Sequence, residues 1–260
     1  MKTTLNKVII TLVFFTSMCC IVANAQDLTN ADKLGTRAPA NIKIDGKADE
    51  WNNKLQEYSH HTQFYYTVSN DDMYLYLTVQ TGDDYIINRI LKGGITFTIN
   101  KSGIKKDPDG IHITYPLLYH FGIYLKDLPK IKDKSAANVS KIDTFVNTVN
   151  DNMEKVSKLI KVSGIKDIDT VISVYNLDGI KAAASLDHQL RYTYELAVSL
   201  TNLGLSINNP LKFAYQVMIN QTDDGSVHTS TPDGIRVTIG SPRWSQQEAT
   251  DFWGEYVLIK

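Results

Sequence analysis

The chain has 260 residues, of which 27 are lysine or arginine and 28 aspartate or glutamate, and 43% are hydrophobic. A formal charge of −1 with no basic stripe argues against nucleic acid or an anionic membrane surface as a partner. Both cysteines, Cys19 and Cys20, lie in an N-terminal leader, so the remainder must fold without disulfides around a single core of the size an all-β domain builds.

The leader reads as a signal peptide over residues 1–25. Lys2 and Lys7 supply its positive end, Val8 to Val22 is largely apolar, and Ala23-Asn24-Ala25 offers small residues before Gln26. Its apolar run is shorter than the roughly 20 residues a membrane-spanning helix needs, so no membrane span is expected. Met18 precedes Cys19, where lipidation wants a small residue, so lipidation is not expected either. The product is expected to be exported, to the periplasm or the extracellular space, with a polar lead at residues 26–40 and one domain from 41 to 260.

In that domain, Ile42 and Ile44 form an extended apolar pair running into an Asp45-Gly46 turn, followed by Asp49, Glu50 and Trp51. Thr62 to Val68 is aromatic and β-branched. Ser69-Asn70-Asp71-Asp72 then turns the chain into Met73 to Gln80, where Met73, Leu75, Leu77 and Val79 alternate with polar or tyrosine positions. Ile95, Phe97 and Ile99 repeat the alternation. Later strand candidates are Tyr192 to Leu200, Leu211 to Asn220, Ile235 to Ile239 and Glu255 to Ile259. Many short strands between polar turns predict an all-β fold, an immunoglobulin-like antiparallel β-sandwich. One segment has a different period. Ile142, Phe145, Val146, Val149, Met153, Val156 and Ile160 recur at helical spacing, so residues 141–162 are expected to form one inserted amphipathic helix covering the core and ending near Gly164.

The stretch Ile42 to Trp51 resembles the opening signature of the family-nine carbohydrate-binding modules and their DOMON-like relatives. Asn70 to Leu77, Tyr194 to Val198, and Phe252-Trp253-Gly254 leading into Glu255 to Ile259 are similar to later strands of that family. The resemblance implies a β-sandwich and, in members that bind sugar, a ligand held between two tryptophans. Where one of them stands, this chain has Ile86, Ile87, Ile90 and Leu91, with Tyr85 the nearest aromatic. Trp244, in the polar setting of Ser241, Pro242, Arg243 and Ser245, corresponds to the other. The resemblance thus gives Trp244, Tyr85 and Arg243 as ligand-binding residues for a weakly bound carbohydrate, while Trp51 and Trp253 are expected to anchor the core.

No catalytic motif is found, and a non-enzymatic role is expected. Glu195 faces outward on its alternating strand with no evident carboxylate partner, which leaves a glycosidase pair incomplete. His60 and His61 are adjacent, and His112, His120, His188 and His228 lack metal-ligand spacing. The acidic turns Asp83-Asp84, Asp107-Pro108-Asp109-Gly110 and Asp223-Asp224-Gly225 offer oxygens to calcium without completing an EF-hand pattern. No resident cofactor is expected. The alternatives are a haem site, which some DOMON-like domains have and for which Met218 with His112 or His120 is the pairing to consider, and a protein-interaction module at the cell envelope.

Overall fold

A computed structural model describes residues 35–52, 54–105, 110–117, 135–221, 227–230, 236–239 and 248–260. Strands β1 (Glu57–Ser59), β2 (Phe64–Asn70), β3 (Tyr74–Thr81), β9 (Tyr192–Ser199) and β8 (Ile180–Leu186) form, in that spatial order, a five-stranded sheet. Strands β13 (Thr250–Val257), β10 (Lys212–Ile219), β4 (Ile95–Asn100), β5 (Ile111–Tyr115), β6 (Leu159–Ser163) and β7 (Val171–Ser173) form a six-stranded one. Both are antiparallel, and a separate hairpin pairs β11 (Val227–Ser230) with β12 (Arg236–Ile239). The fold is a β-sandwich, as the strand pattern predicts, with a few helices where one was expected.

Its core lies between the inner faces of the two sheets. Leu75, Leu77 and Val79 of β3 and Tyr194, Leu196 and Val198 of β9 join Phe97, Ile99, Phe213 and Val217 from the opposing sheet in one buried cluster. Each such side chain removed from water contributes about 1.5–3 kcal/mol. Ring contacts bridge the layers, Tyr115 to Tyr194 at 5.9 Å and Phe64 to Phe252 at 6.2 Å. Met73 leaves the expected alternation and is 66% exposed. Asp71 Oδ1 accepts hydrogen bonds from both Met73 N and Tyr74 N at 2.7 Å, and this turn holds Met73 ahead of the strand.

Helix α1 (Asp84–Gly93) is an addition to the elements expected from the sequence. Asp83 Oδ1 caps it by accepting from Tyr85 N and Ile86 N, and Ile86, Ile87, Ile90 and Leu91 enter the core. The helix stops at Gly94, whose φ of +73° suits glycine. Helix α2 (Ala136–Val156) is the expected amphipathic insertion, capped by Ser135, with Ile142, Val146, Val149 and Met153 buried. It ends earlier than expected. Ile160 and Val162 belong to β6, where an alternating pattern points both inward while Lys161 and Ser163 face out. A third, short helix, α3, spans Leu200–Leu203. Among the described residues no helix is long and apolar enough to cross a membrane.

Residues 35–52 form a cover over the outer face of the five-stranded sheet. Ala38 packs with Tyr76 and Ala197, and Ile42 and Ile44 rest against the same patch. Trp51 sits in a single 3-10 turn, Asp49–Trp51, that contains no fully buried residue. It is half-buried in this covering segment, so the expectation of a core anchor is corrected.

Candidate functional site

Three features stand out on this frame. The first is the end of the molecule where α1 meets the start of β13. The Asp83 cap sets the first turn of α1 so that Tyr85 is 53% exposed while the isoleucines face inward. One turn on, the buried Arg89 donates from Nη1 to Thr250 Oγ1 at 3.1 Å and from Nη2 to Glu248 O at 2.5 Å. Its guanidinium lies 6.0 Å from the Tyr85 ring centroid. Burial lowers the Arg89 pKa and Tyr85 opposes that shift. Arg89 therefore ties the helix carrying Tyr85 to Glu248, four residues after Trp244 in the chain. Arg243 and Trp244 themselves lie outside the described residues.

The second feature is the outer face of the six-stranded sheet. Strand register places Trp253 opposite Gln216, Gln216 opposite Thr98, Thr98 opposite His112 and His112 opposite Ser163. The neighbouring row runs Asp251, Met218, Thr96, Thr114 and Lys161. Phe252, one residue from Trp253, packs against the core, so Trp253 points to the opposite side and is half-buried. The expectation that Trp253 anchors the core is thus corrected by the period of two.

Side chains around it hold one another in place. Gln216 Nε2 donates to Asp251 Oδ2 at 2.6 Å, Thr98 Oγ1 pairs with His112 Nδ1 at 3.0 Å, and Thr96 Oγ1 contacts Thr114 Oγ1 at 2.8 Å and Asn220 Oδ1 at 2.9 Å. The result is one indole on a face of amide, carboxylate, hydroxyl and imidazole groups. Met218 and His112 share this face, two strands apart. His120 lies outside the described residues.

Glu195 is the third feature, and the structure revises its reading. It points away from the core, as the alternation requires, yet it is 0% exposed because the Asp45-Gly46 turn covers it. Its Oε2 accepts from Asp45 N at 3.0 Å and Gly46 N at 2.9 Å, and Ser185 Oγ donates to Gly46 O at 2.6 Å. Burial pushes the Glu195 carboxyl up to about 8, the two backbone donors pull against this, and Asp45 and Glu50 reinforce it. Oε1 of Glu195 and Oε2 of Glu50 are buried with no hydrogen-bond partner among the described residues. Glu195 is a latch for the covering segment, and it has no surface on which a substrate could act.

His60 and His61 fall in the turn after β1, not in a strand, and both are exposed. Asp83 is the α1 cap. Residues 107–109 and 223–225, the other acidic turns, lie outside the described residues. Among the described residues no group of three or more histidine, cysteine, aspartate or glutamate side chains is arranged to hold a metal ion. Comparison with protein-family models and with curated proteins gave no match to this chain.

Proposed function

We propose that this chain is an exported, non-catalytic carbohydrate-binding module whose sugar-contact surface is the outer face of the six-stranded sheet around Trp253, with Tyr85 as a further aromatic. What carries this reading is the setting of Trp253. A flat indole covers the apolar CH face of a pyranose, and the half-buried Gln216, Asp251 and His112 around it have the donors and acceptors its hydroxyls need. Prior hydrogen bonding among those side chains reduces the ordering cost of binding. Arg243 and Trp244 enter on the sequence resemblance alone. A single platform tryptophan corresponds to weak binding, in the micromolar to millimolar range of about −8 to −4 kcal/mol.

The test is a glycan array followed by calorimetry and tryptophan fluorescence on the protein from Gln26 onward. Binding of at least one glycan is expected, with loss of heat and of the fluorescence change in Trp253→Ala and retention of the folded far-UV signal. Loss in Trp244→Ala with full retention in Trp253→Ala moves the site off the sheet face. The shared face of Met218 and His112 favours a second reading as a haem site. A Soret band on the purified protein, with no heat from any glycan, replaces sugar by haem. If neither is seen, the protein-interaction reading takes precedence.

A further inference from the structure

Strand β8 is an edge of the five-stranded sheet, and its backbone groups are closed at both ends but not in the middle. The bonds Ser199 N to Gly179 O and Asp187 N to Arg191 O, both 2.9 Å, fix which residues face β9. With Ala183 opposite Glu195 and Ser185 opposite Thr193, the odd-numbered residues satisfy the ladder. Ile180, Ala182, Ala184 and Leu186 turn their N–H and C=O outward. Asn150 of helix α2 closes Leu186, accepting from its N–H at 2.8 Å and donating to its C=O at 2.9 Å, as a neighbouring strand would. Asn176 Nδ2 donates to Ile180 O at 2.8 Å. Between these two closures, the outward groups of Ala182 and Ala184 have no hydrogen-bond partner among the described residues.

These groups open into a cleft of about 680 Å³ between α2 and the Asp45–Asp49 stretch. An unprotected strand edge is a template for a further strand, which is why proteins usually cover it. We propose that the cleft binds an extended peptide, which adds to the five-stranded sheet along Ala182–Ala184. The ligand class follows from the hydrogen-bond pattern. Ala182 and Ala184 present N–H and C=O pairs about 6.8 Å apart along one line, a repeat that another extended backbone matches group for group. Alanine at 182 and 184 keeps the core side of the edge low, and the Asp45-Gly46 turn rests on the other side against Ala184 and Ser185, so a second backbone approaches from the cleft to the usual strand spacing of about 4.8 Å. Side chains on the peptide's inner side meet the half-buried Val174, Ala182 and Ala184 of the cleft lining, which selects apolar residues there. Those on its outer side meet Lys47 and Asp49, which selects polar ones. The preferred ligand therefore alternates apolar and polar residues.

Two measurements test this. In the free protein, hydrogen exchange at Ala182 and Ala184 is expected to be at least tenfold faster than at Ala183 and Ser185, whose amides face β9. Peptides are then selected from a phage-displayed random dodecapeptide library, synthesised with blocked ends, and titrated into isotope-labelled protein. Enriched sequences are expected to alternate apolar and polar residues, shift the Ala182 and Ala184 amide resonances, and slow their exchange at least tenfold. Ala184→Pro removes an N–H that the sheet does not use, so the fold is retained while peptide affinity falls at least tenfold. An N-methylated version of the best peptide keeps its side chains and loses the donors, and is expected to fail even if the proline variant is unstable. The proposal is overturned if no selected peptide perturbs Ala182 and Ala184, or if the N-methylated peptide binds within twofold of its parent.

Discussion

Replacing Glu195 by glutamine should make the protein's stability less dependent on pH in one direction only. The carboxyl has its ordinary value of 4.5 when the chain is unfolded and about 8 when it is enclosed beneath the Asp45-Gly46 turn. Between those values the folded state holds a proton that the unfolded state has released. Unfolding free energy therefore falls as pH rises, by about 1.4 kcal/mol per pH unit at the steepest. The contribution is fully present below pH 4.5, is lost progressively up to about pH 8, and amounts to about 3–5 kcal/mol across the window. Glutamine keeps an acceptor for Asp45 N and Gly46 N and carries no charge at any pH. Urea denaturation of both proteins at half-unit steps from pH 5 to 9 should give similar stabilities at pH 5 and a variant more stable by several kcal/mol at pH 9. Parallel curves for the two proteins across the whole range would falsify the assignment of Glu195 as a buried, protonated latch.

Two further perturbations address the cover over the five-stranded sheet and the tie between α1 and β13. Gly46 has φ of +81°, and a Cβ built there lies 2.6 Å from the carbonyl carbon of Ala184, so Gly46→Ala should cost more than about 2 kcal/mol in denaturant melts; a loss under about 0.5 kcal/mol contradicts the close approach. Arg89→Met leaves Glu248 O and Thr250 Oγ1 without their donor and should cost about 2–4 kcal/mol while accelerating amide exchange at the start of β13; unchanged exchange there means Arg89 does not hold that segment.

The sequence by itself determined the two-layer β architecture and most of the core. Leu75, Leu77 and Val79, or Ile95, Phe97 and Ile99, alternate with the period of two of a strand that turns one face to the core, and the α2 stripe has the period of a helix. The α1 signal is also present, in Asp83 as cap, the Ile86, Ile87, Ile90 and Leu91 spacing, and Gly94 as stop. Other features required the tertiary structure because they depend on pairing between distant segments. Ile160 and Val162 fit either period, and the pairing of their segment between β5 and β7 made them a strand. Whether Trp253 faced the core or the solvent side was set by its register against Gln216, since a shift of one residue exchanges the two faces. Glu195 looked solvent-facing because alternation specifies a face and says nothing of what covers it. The cover comes from Asp45 and Gly46, about 150 residues earlier in the chain, and only folding brings them together.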